Sequence, residues 1–141
     1  MNRSNYSDDL DHWAMIRWRG AVTKSIEGKR GQAFLRELRD ALDAMPDKRL
    51  IAGELVREGS ACAIGSVMVR RGIETDSIDV EDYETIASKL GIAQALVREI
   101  EFHNDESGGY LGDKESCERK RWIAVRRWVD NHIYESEDSN A

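Results

Sequence analysis

The apolar positions of this chain recur mostly with the period of an α-helix. In the segment from Gly31 to Met45 they form an unbroken stripe of Phe34, Leu35, Leu38, Ala41, Leu42 and Met45. Residues with this spacing share one side of a helix. Pro46 follows at once, and proline ends helices because it lacks an amide hydrogen. The pattern therefore predicts a core helix between Gly31 and Met45.

Weaker stripes of the same period predict further helices over about 9–27, 61–70, 79–90, 92–103 and 117–132. The stretch Arg49–Val56 suits a short strand or a helical turn, and Arg57–Ser60 has the composition of a turn. The alternative for residues 61–70 is that they form a hairpin with residues 50–56 and not a helix. We predict a single, mainly α domain over residues 1–141. It has five or six helices, room for one short β-hairpin near residues 49–58, and disordered ends at 1–6 and 135–141.

The first helix is predicted to bury one side and to turn sharply into the second. The residues expected on its buried side are Leu10, Trp13, Ile16 or Arg17, Ala21 and Val22. Gly20 is expected to permit a close crossing with another helix. Gly28–Gly31, a basic pair flanked by glycines, is expected to form the tight connection between the two helices.

Residues 84–101 predict two short helices that pack against each other and are hinged at Gly91. The spacing of Ala87, Gly91 and the surrounding apolar residues is also typical of a helix-turn-helix, the common DNA-reading motif. On that interpretation Gln94 and Arg98 would face the bases, because their side chains suit base edges. A packed helical corner without a DNA role is the simpler interpretation, since nearby carboxylates would repel phosphates.

Charge is unevenly distributed along the chain. The net charge is −6 and the sequence pI is about 5.1, which disfavours a protein whose whole surface coats nucleic acid. Between Ile73 and Ala87 the charged residues are all acidic: Glu74, Asp76, Asp79, Glu81, Asp82 and Glu84. Near the C-terminus the predicted basic face comprises Arg119, Lys120, Arg126 and Arg127. Such segregation suits a protein that meets a charged partner, although solvated helix faces produce the same pattern.

The sequence offers little to an enzyme. Cys62 and Cys117 form no C-x-x-C pair, and Cys62 is expected to be an inert thiol buried in an apolar helix. Asp8, Asp9, Asp11 and His12 could hold a metal, but two of these carboxylates also suit helix caps. We predict no catalytic, cofactor-binding or metal-binding residues. The polar, acidic start of the chain and the lack of a long apolar run predict a cytoplasmic protein without a membrane partner.

Four stretches, Tyr6–Val22, Gly28–Leu55, Cys62–Val67 and Gly91–Asp105, carry a broader resemblance. On these residues the chain resembles a family of small uncharacterised proteins of bacteriophages and prophages of proteobacteria. The resemblance implies no activity, but small accessory phage proteins often bind and block a host protein, including CRISPR surveillance complexes.

We therefore expect a non-enzymatic inhibitor of a host protein or nucleoprotein complex, such as an anti-CRISPR or other anti-defence factor in the host cytoplasm. It would bind through the acidic or the basic residues. The alternative is a small helix-turn-helix transcriptional regulator that binds DNA. The sequence leaves a homodimer open.

Overall fold

The computed structural model describes residues 9–109 and 112–134, with side chains from residue 12 onward. The predicted disordered ends, 1–6 and 135–141, lie outside these ranges. The helices and strands, in chain order, are α1 (Asp9–Glu27), α2 (Lys29–Ala44), β1 (Val56–Arg57), β2 (Ser60–Ala61), α3 (Ala63–Arg70), α4 (Tyr83–Leu90), α5 (Gln94–Glu106) and α6 (Lys114–His132). The prediction of a mainly helical fold with one short hairpin is confirmed.

Helices α2 and α5 hold the domain together. Helix α2 packs against α1, α3 and α6, and α5 packs against α1, α3, α4 and α6. The predicted stripe of α2 lies in the core: Phe34, Leu35, Leu38 and Leu42 are almost completely buried. Met45, at the end of the stripe, packs against the core from its edge. The strongest apolar pattern in the sequence thus marks one of the two helices that pack against several others.

The connection between α1 and α2 is shorter than the four residues expected from the sequence. Gly28 alone separates the two helices, and α2 begins at Lys29. Gly31 lies inside α2 and is buried, and a Cβ built there would lie 1.7 Å from the carbonyl oxygen of Ser25. Gly31 therefore permits close contact with the last turn of α1 and does not form the connection. The close crossing expected at Gly20 is wrong, because a Cβ there would have no atom within 4 Å.

Helix α1 buries a different side from the one predicted. Val22 and Ile26 are buried, and Trp18 packs against the core from its edge. Trp13 is 63% exposed and Ile16 is 46% exposed, so their predicted burial is wrong. Ala21 is exposed as well, and the side chain of Leu10 lies outside the described residues. Of the predicted residues that the structure describes, only Val22 is buried, because contact with α2 and α5 covers the side that carries Val22 and Ile26.

The hairpin lies at the C-terminal end of the predicted region. Val56 pairs with Ala61 and Arg57 with Ser60 in antiparallel register. Glu58 and Gly59 connect them with φ angles of 51° and 83°, the left-handed conformation that two-residue hairpin turns require. Residues 50–55 form no strand, although Ile51 donates a hydrogen bond to Ala61 O.

The predicted hinge between α4 and α5 is present. Gly91 has φ 76° and ψ 31° and ends α4 in the left-handed conformation that favours glycine. Helix α4 begins at Tyr83 and not at Asp79, because Asp82 caps it by accepting a hydrogen bond from Thr85 N. Asp113 caps α6 in the same way and so starts that helix three residues before the predicted Cys117.

Candidate partner-binding surface

The predicted acidic residues lie on the connection between α3 and α4 and on the first turn of α4. We call this stretch, residues 73–84, the acidic segment. Its six carboxylates, all exposed, are Glu74, Asp76, Asp79, Glu81, Asp82 and Glu84. The structure therefore places every predicted acidic site residue on one continuous, solvent-facing stretch of chain.

The acidic segment is anchored to the domain by apolar side chains that alternate with its carboxylates. Ile73, Ile78, Val80 and Tyr83 are partly buried and pack against the core. Asp79 Oδ1 accepts a hydrogen bond from Glu81 N at 2.9 Å, which closes a local turn. The backbone of the acidic segment is consequently held against the core although most of it is irregular, and its carboxylates face the solvent.

None of these carboxylates forms an ion pair with a cation in residues 9–109 and 112–134. The protein does have acids and bases that pair elsewhere on its surface, for example Glu37 with Arg71 at 2.6 Å. Unpaired charges of one sign produce a field that attracts oppositely charged surfaces within about 10 Å at 0.1 M salt. The acidic segment is therefore a negative surface available to a cationic partner.

The predicted basic face is largely neutralised within the chain. Arg126 binds both carboxylate oxygens of Asp43, at 2.8 and 3.1 Å. Arg119 contacts Asp47 at 3.1 Å, next to the C-terminal end of α2. Arg121, within the same basic stretch, is buried and donates to Leu50 O at 2.8 Å. These arginines join α6 to α2 and the chain that follows it.

Two residues of the basic face remain unpaired. Lys120 and Arg127 form no ion pair with the described side chains. Ile123, which is 52% exposed, lies between them along the helix and within about 60° of both around its axis. Two unpaired cations make a weaker electrostatic surface than six unpaired carboxylates.

The two residues proposed to read DNA, Gln94 and Arg98, are both exposed, but the Arg98 side chain already contacts aromatic rings. Arg98 stacks over the ring of Trp18, with its guanidinium carbon 4.7 Å from the ring centroid, and lies 5.5 Å from that of Tyr83. Such cation–π contacts hold an arginine against aromatic rings. Gln94 is exposed at the first turn of α5. A base-reading role would require Arg98 to leave these two rings.

A buried polar cluster that was not predicted lies between α3 and α5. The Cys62 thiol donates to Glu101 Oε1 at 3.3 Å, and both side chains are buried. Asn104 accepts from Ala63 N at 2.9 Å and donates to Ile51 O at 2.8 Å. Desolvation is the main cause that raises the pKa of Glu101 to about 8, and the charge of Asp105 adds to it.

A periodic signal for this cluster was present in the sequence. Glu101 and Asn104 follow Val97 and Ile100 at i, i+3, i+4 and i+7, so all four share the buried side of α5. Burial also raises the pKa of the Cys62 thiol well above its ordinary value, whereas reactive cysteines have lowered pKa values. The cluster ties α5 to the start of α3 and leaves the thiol protonated.

Two of the three histidines, His103 and His132, contact the same ring of Trp128, at 4.9 and 4.5 Å between ring centroids. His12 is exposed on α1, and His103 also bonds to Glu99 at 3.0 Å. The structure does not describe Asp8 or the side chains of Asp9 and Asp11. Among the side chains that it does describe, no group of three or more His, Cys, Asp or Glu residues could hold a metal ion.

Comparison with known proteins adds no homologue. No protein-family model, curated protein or solved structure matches this chain. Within the described ranges, none of the helices combines the length and apolar character needed to cross a membrane. The geometry and charge of the surface are therefore the basis on which a function can be inferred.

Proposed function

We propose that this chain is a non-catalytic binding protein that uses the acidic segment to cover a cationic surface of a partner protein. The observation that carries the proposal is the contrast between the two charged faces. The carboxylates of the acidic segment are exposed and unpaired, whereas Arg119 and Arg126 are held by acids of the same chain. Electrostatic complementarity accelerates encounter and selects partners by sign of charge.

The chemistry of the acidic segment suits a partner that itself binds nucleic acid. Such proteins present lysine and arginine to phosphates, and anchored carboxylates can occupy the same positions. Binding there would block access of the nucleic acid, so the proposed effect on the partner is inhibition by occlusion. The resemblance to small phage proteins supports the finer proposal that the partner belongs to a host defence system such as a CRISPR complex.

The test is a pull-down from nuclease-treated bacterial lysate, with the tagged protein as bait. The variant changes Glu74, Asp76, Glu81 and Glu84 to the corresponding amides and retains the turn-forming Asp79 and the capping Asp82. We expect the wild type to retain a basic protein at moderate salt and the variant to lose it by tenfold or more, because the attraction depends on the four charges.

A matched control neutralises four exposed acids elsewhere, namely Glu27, Asp40, Glu54 and Glu58. It has the same net charge as the test variant, so it should retain the partner. Equal loss in both variants would show that only net charge matters and would contradict the proposal. Retention of the partner by the test variant would also contradict the proposal.

A helix-turn-helix regulator is the second candidate, favoured by the left-handed Gly91 between α4 and α5. Alanine at Gln94 and Arg98 should then abolish binding to an operator without unfolding the protein. Absence of DNA binding at low salt would exclude this candidate.

A further inference from the structure

Arginines from two other helices converge on the turn between α4 and α5. Arg30 Nη1, from the first turn of α2, donates to Gly91 O at 3.4 Å. Arg71 Nη1, just after α3, donates to Leu90 O at 3.0 Å. These carbonyls belong to the C-terminal end of α4, where the helix dipole favours positive charge.

Two more cations adjoin this site. Lys89 precedes Leu90 in the last turn of α4. Arg70 is the last residue of α3 and directly precedes Arg71 in the chain. We call Arg30, Arg70, Arg71 and Lys89 the turn patch, and all four are exposed.

The charge of the turn patch is mostly uncompensated. Arg71 binds Glu37 through two hydrogen bonds of 2.8 and 2.6 Å. Arg30, Arg70 and Lys89 form no ion pair in the part of the chain that the structure describes. The patch therefore carries a net positive charge, even though the whole chain has a net charge of −6.

The location of the patch also gives α4 opposite charges at its two ends. The acidic segment includes the first turn of α4, and the turn patch surrounds its last turn. Helix α4 has eight residues, which corresponds to a length of about 12 Å. The acidic segment and the turn patch are therefore neighbouring surfaces of opposite charge.

We infer that the turn patch binds the phosphodiester backbone of a nucleic acid. Arginine presents a planar set of donors that matches phosphate oxygens, and lysine adds a compact charge. The carbonyl of Gly91 positions Arg30 in advance, so less side-chain entropy is lost on binding. Arg71 is held by Glu37 and by Leu90 O and lies at the border of the patch. This contact is expected to be independent of the base sequence of the nucleic acid, because the patch lies at the turn and does not include the exposed side chains of α5.

The inference is independent of the proposed function of the acidic segment, and its test requires no protein partner. The probe is a fluorescent duplex of about 20 base pairs with random sequence, titrated with the full chain from about 25 to 200 mM salt. A DNA and an RNA duplex are used in parallel to distinguish the source of the phosphates. The wild type should bind at least one of them in the micromolar range at low salt, with affinity that falls as salt rises.

The test variant is Arg70→Glu with Lys89→Glu, since neither side chain makes a hydrogen bond to a described residue. It should lose tenfold or more in affinity and reduce the salt slope by about 2. The control, Lys120→Glu with Arg127→Glu, makes the same change in charge on α6 and should stay within about threefold of the wild type. Circular dichroism should show both variants to be folded.

Several results would overturn the inference. One is absence of binding to both duplexes at the lowest salt, and another is equal loss in the test and control variants. Alanine at Gln94 and Arg98 should leave binding unchanged, and dependence on those residues would indicate base reading instead. If sedimentation velocity shows that the test variant changes only self-association, the patch serves a second copy of the chain.

Discussion

Arg126 of α6 and Asp43 of α2 form a two-point ion pair, with Nε–Oδ1 and Nη2–Oδ2 distances of 2.8 and 3.1 Å. The contact connects residues that are 83 positions apart in the sequence. It also lowers the pKa of Asp43, chiefly through the hydrogen bond from Arg126. An arginine that the sequence assigns to a binding face thus contributes to the packing of two helices.

Replacing Arg126 should therefore change stability more than partner binding. In a double-mutant cycle with Asp43→Ala and Arg126→Ala, we expect a coupling energy of about 0.5–1 kcal/mol, because both side chains are partly solvated. Urea denaturation provides the measurement. Lys120→Ala, on the same helix without an ion pair in the described residues, is the control and should change stability by less than about 0.5 kcal/mol. Zero coupling between Asp43 and Arg126 would contradict this assignment.

The two helical glycines Gly20 and Gly31 should respond to alanine with opposite signs. At Gly31 the new Cβ would lie 1.7 Å from Ser25 O. The backbone of α1 would have to move, so we expect a loss of about 3 kcal/mol. At Gly20 the Cβ has open space, and alanine should stabilise the exposed helix by roughly 0.5–1 kcal/mol. Thermal unfolding of both variants measures the two changes in stability. A Gly31→Ala protein as stable as the wild type would contradict the close contact between Gly31 and the Ser25 carbonyl.

Stability should fall as pH rises because of Glu101. Its pKa is about 8 in the folded protein and 4.5 ordinarily, so the folded state retains a proton that the unfolded chain releases. The contribution of protonated Glu101 to the free energy of unfolding is complete below pH 4.5 and is lost as pH rises towards about 8. The loss amounts to a few kcal/mol at most, on the order of 1.4 kcal/mol for each pKa unit. Urea denaturation across this range measures it.

Glu101→Gln is the decisive variant for that pH dependence. The amide is neutral at every pH and retains an oxygen that can accept from the Cys62 thiol, so most of the fall in stability should disappear. Glu84→Gln removes the same charge from the exposed acidic segment and should leave the pH dependence unchanged. A Glu101→Gln protein that still loses stability in the same way would show that another group is responsible.

Local pattern and chemistry made most of the fold predictable. Helix α2 followed from one stripe of apolar residues, and the hinge at Gly91 followed from a glycine between two such stripes. The buried side of α1 could not be predicted. Apolar residues lie on two sides of this helix, and only contacts with other helices determine which side is buried. Trp13 is consequently exposed where burial was expected.

The candidate surfaces were predictable only where they are local in sequence. The acidic segment is a continuous stretch, so its exposed charge could be inferred directly. The turn patch combines residues from three separate parts of the chain, and only folding places Arg30 beside Gly91, 61 positions away. The pairing of Arg119 and Arg126 on the basic face could not be predicted for the same reason, since Asp47 and Asp43 are distant from them in sequence.

The most direct test of the central claim is site-specific photocrosslinking in bacterial cells that contain the partner. A photoreactive amino acid is placed at Ser77, an exposed position in the acidic segment, and in a separate protein at Lys120 on the basic face. We predict a discrete crosslink from position 77 to a basic protein and none from position 120. A crosslink from position 120 alone would contradict the assignment of the acidic segment as the binding surface.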